Sequence, residues 1–315
     1  IRSFIKNPLR EWTVEANPES MDRGFILLCK DYGVSRISIG VQTLQEPLLD
    51  ILGRGCKKAD IIYAGELLNS YWSHTISIDL LCGIPGQTSS CLEEDIAYCL
   101  ELFRPHHISL YSLTVEEHTE LQRLVKEQKI NMPLKQVHDK LWFFGYQMLE
   151  KKGFLNYEIS NFSLPGYECL HNVRYWLLEP YIGIGPAAVS TLPEREGKVV
   201  RIHRPENISL FLQGKKAYWG MDYEVITEKE LLLEHCMMGF RLKEGFPVEH
   251  IVHRFGRPLP AFVPALWKKW EEHKYIKTIP GRYALTDRAR FILDTLLIEL
   301  AEEIDHMPDI KIHWP

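Results

Sequence analysis

Several things are missing from this 315-residue sequence. No uninterrupted apolar run approaches the roughly 18–20 residues of a membrane-spanning helix. The first ten residues carry three cations and no apolar stretch, which is not the pattern of a secretory signal. No basic block stands out and the net charge is −5, so nucleic acid is not expected as a partner. The seven cysteines (Cys29, Cys56, Cys82, Cys91, Cys99, Cys169, Cys236) form no C-x-x-C or C-x-x-x-C-x-x-C set. No iron–sulfur or zinc site is therefore read from them. Their odd number and their places within apolar patterns instead suit reduced, buried thiols in a cytoplasmic protein. With 45% hydrophobic residues the chain can bury a full core, and its length suggests about two domains of ~150 residues.

What is present is organised around residues 75–88, TISIDLLCGIPGQT. Thr75, Ser77 and Asp79 share one parity and Ile76, Ile78 and Leu80 the other, which is the period of a strand with one apolar and one polar face. The Gly-Ile-Pro-Gly-Gln that follows breaks the strand. Residues 11–18 and 36–42 repeat the design, with Trp12, Val14 and Ala16, then Ile37, Ile39 and Val41, on the apolar parity. A fourth strand, 106–114, reads as mixed. Helical stripes follow each: Met21, Phe25, Leu28, Tyr32; Ile62, Gly65, Leu68; Leu92, Ile96, Cys99, Phe103; and Val137, Leu141, Phe144, Met148.

Four strand–helix repeats predict parallel α/β architecture. An open doubly wound sheet would need both faces apolar. One polar face predicts a curled sheet instead, a barrel or partial barrel with helices outside. Glu15, Gln42 and Asp79 lie on the polar parity near the C-terminal ends of their strands, where β/α barrels carry their chemistry, and are read as sharing a ligand. Each alone would as readily cap a helix or close a turn. A polar connection over 114–134, with a short helix at 120–128, lies on that same rim.

Three regions are expected: residues 1–153, the β/α region; 154–222, a closing and connecting segment; and 223–315, a helical domain. In the second, 157–162 extends the sheet, 171–177 is a short helix, and 181–184 leads into Gly185-Pro-Ala-Ala, a tight backbone approach. Residues 198–223 read as an aperiodic connector. In the third, Thr227 and Glu230 form a capping box. Helices follow over 246–255 and 259–272. A hairpin spans 275–278 and 282–285, and a last helix over 286–300 is capped by Thr286. Helices followed by a hairpin resemble a winged-helix module; with no Arg/Lys-rich helix, docking is a better reading than DNA binding. Phe262, Trp267 and Trp270 are assigned to its core, and Glu93, Glu94 and Asp95 to favourable charge at a helix start.

These runs resemble the oxygen-independent coproporphyrinogen III oxidases and their relatives in the radical S-adenosylmethionine (SAM) superfamily. The matching segments are EANP at 15–18, RISIGVQ at 36–42, LGR at 52–54, DLLCGIPGQT at 79–88, ISLYSLTVE at 108–116, YEISNF at 157–162 and GIGP at 183–186. HNVRYW at 171–176 looks like the HNxxYW signature of the heme-chaperone (HemW-type) branch, which the decarboxylating oxidases lack. The resemblance implies a (β/α)6 radical-SAM-type barrel whose first two units, with the cysteines of a [4Fe–4S] cluster, would precede Ile1. The chain as it stands is expected not to assemble that cluster.

The resemblance further implies SAM contacts from Glu15, Gln42, Arg54 and Asp79, with Thr114 and Val189 as weaker members. A carboxylate can accept from ammonium or hydroxyl groups, and an arginine can grip a carboxylate. Val189 stands where the heme branch has His, and Ala187 where it has Gly. His171 becomes the expected heme-iron ligand, with Asn172 orienting it and Tyr175 and Trp176 as apolar neighbours. Local sequence alone favours a structural histidine at a helix start. Cys169 is an alternative iron ligand; Cys169 with His171 could begin a zinc site whose other ligands are not apparent. The expected function is heme binding and delivery to a client protein, with membrane contact only through that client. Oxidative decarboxylation of coproporphyrinogen III is the alternative, and a barrel without a working cofactor a third reading.

Overall fold

The computed structural model describes residues 8–117, 119–194, 197–213 and 222–310. The chain divides into two compact units, residues 1–171 and 172–315.

The first unit is a β/α repeat. Its elements are β1 (Thr13–Ala16), α1 (Arg23–Tyr32), β2 (Arg36–Gln42), α2 (Glu46–Ile51), α3 (Lys58–Tyr71), β3 (Thr75–Cys82), α4 (Ser89–Phe103), β4 (His107–Ser112), α5 (Glu120–Lys126), α6 (Lys135–Lys151), β5 (Leu155–Asn156) and β6 (Asn161–Ser163). They form one sheet in the order β1-β2-β3-β4-β6-β5. The first four strands run parallel, and β6 is antiparallel to both β4 and β5.

The register shows what alternation does. One row runs Ala16, Ile39, Ile78, Ile108, Phe162, and the last four are fully buried. These side chains join Ile26, Ile61, Leu68, Leu92, Ile96, Phe103 and Leu149 from the helices in one core. Each isoleucine removed from water contributes roughly 2 kcal/mol before the cost of ordering it. The alternate rows are polar: Glu15, Ser38, Ser77, His107, Ser163, then Gly40, Asp79, Ser109, Asn161. Of these, Ser77, His107, Ser109, Asn161 and Ser163 are also buried. A polar face that is itself out of water is an interior lining, as a curled sheet requires.

Two details differ from the sequence expectation. On α1 the buried residues are Ile26 and Cys29, whereas Leu28 and Tyr32 are exposed. The run Phe-Ile-Leu-Leu-Cys admits two stripes, and the other one faces the core. On α3 the buried stripe is Ile61, Ala64, Gly65 and Leu68, with Ile62 at its margin. Gly65 is required there because a Cβ would collide with Leu102 of α4.

The unit boundary falls inside α7 (Leu170–Trp176). The second unit continues with β7 (Val189–Pro193), β8 (Val199–His203), α8 (Ile208–Leu212) and β9 (Asp222–Ile226), the strands pairing antiparallel as β7-β8-β9. The stretch 198–223, read as a connector, therefore supplies β8, α8 and the start of β9. Residues 154–222 contribute β5 and β6 to the first unit and this small sheet to the second. The close approach falls at Gly183, where a Cβ would collide with the Val189 backbone; at Gly185 a Cβ would meet nothing, and its φ of +117° is what calls for glycine.

The remaining elements are α9 (Glu228–Gly239), β10 (Phe246–Pro247), α10 (Val248–Phe255), α11 (Pro264–Glu272), β11 (Ile276–Ile279), β12 (Arg282–Leu285), α12 (Asp287–Arg290) and α13 (Leu293–Asp305), with a sheet β10-β12-β11. Helix, short strand, two helices and a two-stranded wing give the winged-helix-like order expected. The Thr227–Glu230 capping box is made in both directions, at 3.3 and 2.8 Å. Trp270, Phe240 and Phe246 are buried together, with the Trp267 ring tilted against Trp270. Thr286 does not cap with its side chain; its hydroxyl donates instead to the Lys274 carbonyl at 3.1 Å. Among the described residues no helix is long and apolar enough to cross a membrane.

Candidate functional site

The site of the first unit forms where β2 ends. Register shifts between Gly40 and Gln42, and Gln42 is held at φ 67°. A non-glycine residue in the left-handed region costs about 1 kcal/mol or more and persists only where its surroundings enforce it. Here the enforcement comes from Asp95 of α4. This carboxylate, 1% exposed, accepts from Thr43 Oγ1 at 2.6 Å, the Leu44 N–H at 3.0 Å and Gln45 Nε2 at 3.1 Å. Asp95 is thus a clamp on the loop after Gln42, a correction to its reading as helix-start charge. Burial raises its pKa although all three donors oppose the shift. Asp95→Ala is expected to lower the urea midpoint by the equivalent of about 2–3 kcal/mol, because it orphans the Leu44 N–H and the Thr43 hydroxyl. An unchanged midpoint at unchanged m-value would contradict the clamp.

Gly40 leaves a cradle. A Cβ built there would lie 3.1 Å from Gln42 Nε2, 3.4 Å from Arg54 Nη2 and 3.5 Å from Asn17 Oδ1. Arg54 Nη1 donates to Asn17 Oδ1 at 3.0 Å, bringing the segment after α2 against the end of β1. Asp79 is the register partner of Gly40 on β3 and receives Ser38 Oγ at 3.4 Å; Ser109 also hydrogen-bonds to it. Glu15 is the register partner of Ser38 and points its exposed carboxylate from the same face. Desolvation raises the Asp79 pKa to about 6; the Ser109 and Ser38 hydroxyls pull it down and the Glu15 charge pushes it up. Tyr111, two residues beyond Ser109 on the same parity, is pushed up to about 12 by burial and by the Asp79 charge.

The structure brings Gln42, Arg54 and Asp79 around Gly40, with Glu15 on the same face as Asp79; the register shift, not strand alternation, places Gln42 there, and Arg54 comes from the segment after α2. Two carboxylates, a guanidinium and carboxamides around a cradle fit a zwitterionic nucleoside-sized ligand: acceptors for ammonium and hydroxyls, a fork for a carboxylate. Thr114 lies exposed, two residues past β4. Val189 lies in the second unit, half-buried on β7 opposite His203. The wall of the turn after β3 is built by Gln87, whose Oε1 accepts from the Gly83 N–H at 2.8 Å and whose Nε2 donates to the Leu81 carbonyl at 3.0 Å.

Asn17, Ser38, Gly40, Ser109 and Tyr111 were not singled out from sequence. Ser109 and Tyr111 were concealed because His106 and His107 are adjacent, which blurs the alternation of β4. The register places His107, Ser109 and Tyr111 on the lining parity.

His171 is the second residue of α7 and is exposed. Cys169, the alternative, is 4% exposed with its thiol toward Glu11 Oε1 at 3.6 Å. The Cys169 thiol is thus turned to Glu11 and away from solvent, whereas His171 is exposed. Tyr175 is half-buried against Tyr181, ring centroids 4.7 Å apart, and Trp176 carries the Arg241 guanidinium on its face at 4.4 Å. Trp176 is thus already engaged rather than standing open. Among the described residues no three His, Cys, Asp or Glu side chains converge as a metal site, so they offer no ligand set for a [4Fe–4S] cluster or for zinc.

Residues 1–99 match the radical SAM superfamily and residues 226–292 the HemN C-terminal domain. The heme chaperone HemW of Lactococcus lactis subsp. lactis is 33% identical over 247 residues, 78% of this chain and 64% of that one. Those of Bacillus subtilis and Escherichia coli are each 30% identical, over 90% and 91% of this chain and 74% of theirs. The chain thus spans about two thirds to three quarters of the length of these relatives. Among solved structures, E. coli coproporphyrinogen III oxidase (HemN), a radical SAM enzyme, superposes with a TM-score of 0.73 over 94% of this chain and 70% of that one, at 14% identity, a likeness of fold. Identity at this level over nine tenths of its residues shows that the chain belongs to the HemW family of the radical SAM superfamily.

Proposed function

We propose that this protein is a heme chaperone that binds heme through His171 and S-adenosylmethionine in the hollow of its first unit, and delivers heme to a client protein in the cytoplasm. The observation that carries the reading is the exposed imidazole of His171 within HNVRYW at the head of α7, in a chain of the HemW family. Heme supplies an iron whose axial position an imidazole fills. Asn172 follows His171 and is the residue to orient it.

In the hollow, Arg54 and Gln42 are the groups to hold the methionine carboxylate of SAM, and Glu15 and Asp79 its ammonium and ribose hydroxyls, with Thr114 toward the adenine; Val189, in the second unit, is carried only by the family resemblance. Gly40 keeps the space open. Gly40→Val is expected to weaken SAM binding more than about tenfold by calorimetry. Valine suits an extended strand, and Gly40 is not among the residues with positive φ, so the melting temperature should hold within a few degrees. Wild-type affinity in this variant would remove the hollow from the SAM reading.

The deciding experiment titrates hemin into the protein and, separately, incubates the protein in its cluster-loaded form anaerobically with SAM and coproporphyrinogen III. Saturable hemin binding without porphyrinogen turnover supports the chaperone. Protoporphyrinogen formed at enzymatic turnover would overturn it in favour of the oxidase.

A further inference from the structure

The residue before α7 is Cys169, which brings no side-chain oxygen to the unpaired N–H groups of the first turn. The cap comes from the far end of the unit. Glu11 Oε2 accepts from the Leu170 N–H at 3.1 Å and Glu11 Oε1 from the His171 N–H at 3.1 Å. Glu11 Oε1 also receives the Cys169 thiol at 3.6 Å and the Thr13 hydroxyl at 3.3 Å. All of these donors are neutral, and all but Thr13 come from the three residues that end in His171. A second tether reaches the same turn. The Tyr157 hydroxyl accepts from the Cys169 N–H at 3.3 Å and lies 2.9 Å from His107 Nε2, whose Nδ1 is 2.9 Å from Ser77 Oγ. His107 and Ser77 sit on the polar lining of the sheet, and the Tyr157 N–H donates to the Asn161 carbonyl of β6 at 3.1 Å.

We propose that Glu11 is the positioning residue of the heme ligand: its carboxylate, 160 residues upstream, pins the turn that carries His171, with Tyr157 as the second tether. The inference rests on His171 being that ligand. The chemistry is specific to a carboxylate. Two backbone N–H groups converge on its two oxygens, and charge-assisted bonds of this kind are about twice as strong as neutral ones. A flexible turn would present the imidazole in many orientations. A pinned one fixes the Cα–Cβ direction from which the imidazole extends, which lowers the ordering cost of ligation.

The test uses the full chain and four variants, Glu11→Ala, Glu11→Gln, Tyr157→Phe and His171→Ala. The readouts are hemin titration by Soret absorbance, amide hydrogen exchange at 169, 170 and 171, and thermal melting. Glu11→Ala is expected to expose both amides to exchange and to weaken hemin binding about tenfold, the usual size of a lost cap. The imidazole-ligated Soret signature should survive at saturation. Glu11→Gln, which keeps the shape and one acceptor oxygen, should fall between, and it preserves the test if the alanine variant does not fold. Tyr157→Phe should increase exchange at 169. Wild-type hemin affinity and amide protection in Glu11→Gln and Glu11→Ala, alongside loss of binding in His171→Ala, would overturn the positioning role while leaving the heme reading intact. Wild-type binding by His171→Ala would overturn the heme reading itself, and with it the purpose assigned to Glu11.

Discussion

His171→Ala is expected to weaken hemin binding by roughly two orders of magnitude and to replace the imidazole-ligated Soret spectrum with that of weakly bound hemin. The same substitution should leave thermal stability within about 0.5 kcal/mol of the parent, because an exposed side chain contributes little to folding. The bond from residue 171 to Glu11 is made by the backbone N–H and survives the change. The pairing of these two results separates a ligand from a structural histidine: a helix-capping or core histidine would cost stability and leave the spectrum alone. Two controls sharpen the outcome. His203, also an exposed histidine and 3.7 Å from Glu224 on the neighbouring strand, should tolerate alanine with no effect on hemin. Cys169→Ser should keep the imidazole spectrum, since the thiol faces Glu11 rather than solvent. If His171→Ala retains the parent spectrum and affinity while Cys169→Ser loses them, the iron ligand has been assigned to the wrong residue.

The parts of the fold that could be read in advance are those where a local period reports a global face. β1, β2 and β3 alternate cleanly because one side meets helices and the other lines the interior, so Glu15 and Asp79 could be placed on one face before any coordinates, whereas Gln42 joins them through the register shift at the end of β2. Where both parities are apolar, as on α1, period alone could not choose the buried stripe. β8 and β9 escaped notice for another reason. They are short, each carries a charge at its middle residue (Arg201, Glu224), and they take their partners from each other and from β7, so that little in the local run distinguishes them from a loop.

In the site, what could not be read was partnership across long separations. Asp95 and the Thr43 loop are 52 residues apart, and Glu11 and His171 are 160 apart. No period links such pairs. A charge at a helix start and a charge before a strand look solvated in sequence, and only tertiary structure shows the donors that converge on them. Arg54 is an intermediate case. Its role came from the resemblance, and the structure adds the neighbours, Asn17 and the bare Cα of Gly40, that give the guanidinium a place to act.

Asp79 offers the sharpest separation of stability from binding. Its carboxyl titrates near 3.8 in an unfolded chain and near 6 in the folded one, because burial outweighs the Ser109 and Ser38 hydroxyls and Glu15 adds like charge. Between those values the folded state holds the extra proton. Stability therefore falls as pH rises through that window, and the destabilisation is fully present above about pH 6. A gap of about two units corresponds to at most ~3 kcal/mol, and the partial opening of Asp79 to the hollow reduces this to about 1–2 kcal/mol. Asp79→Asn removes the buried charge but keeps an oxygen for both hydroxyls. It is expected to melt roughly 3–6 °C higher than the parent at pH 7.5. At pH 4 the advantage should disappear, because the parent is then protonated as well. SAM binding should move the opposite way, weaker by about tenfold or more, since the lost charge is the one offered to the ligand's ammonium or hydroxyl groups. Higher stability together with weaker SAM binding in the one variant would show that the buried charge serves the ligand rather than the fold. If Asp79→Asn gains nothing at pH 7.5, the carboxylate is adequately solvated in the empty hollow. If it gains stability but binds SAM as the parent does, the strained charge serves some other guest.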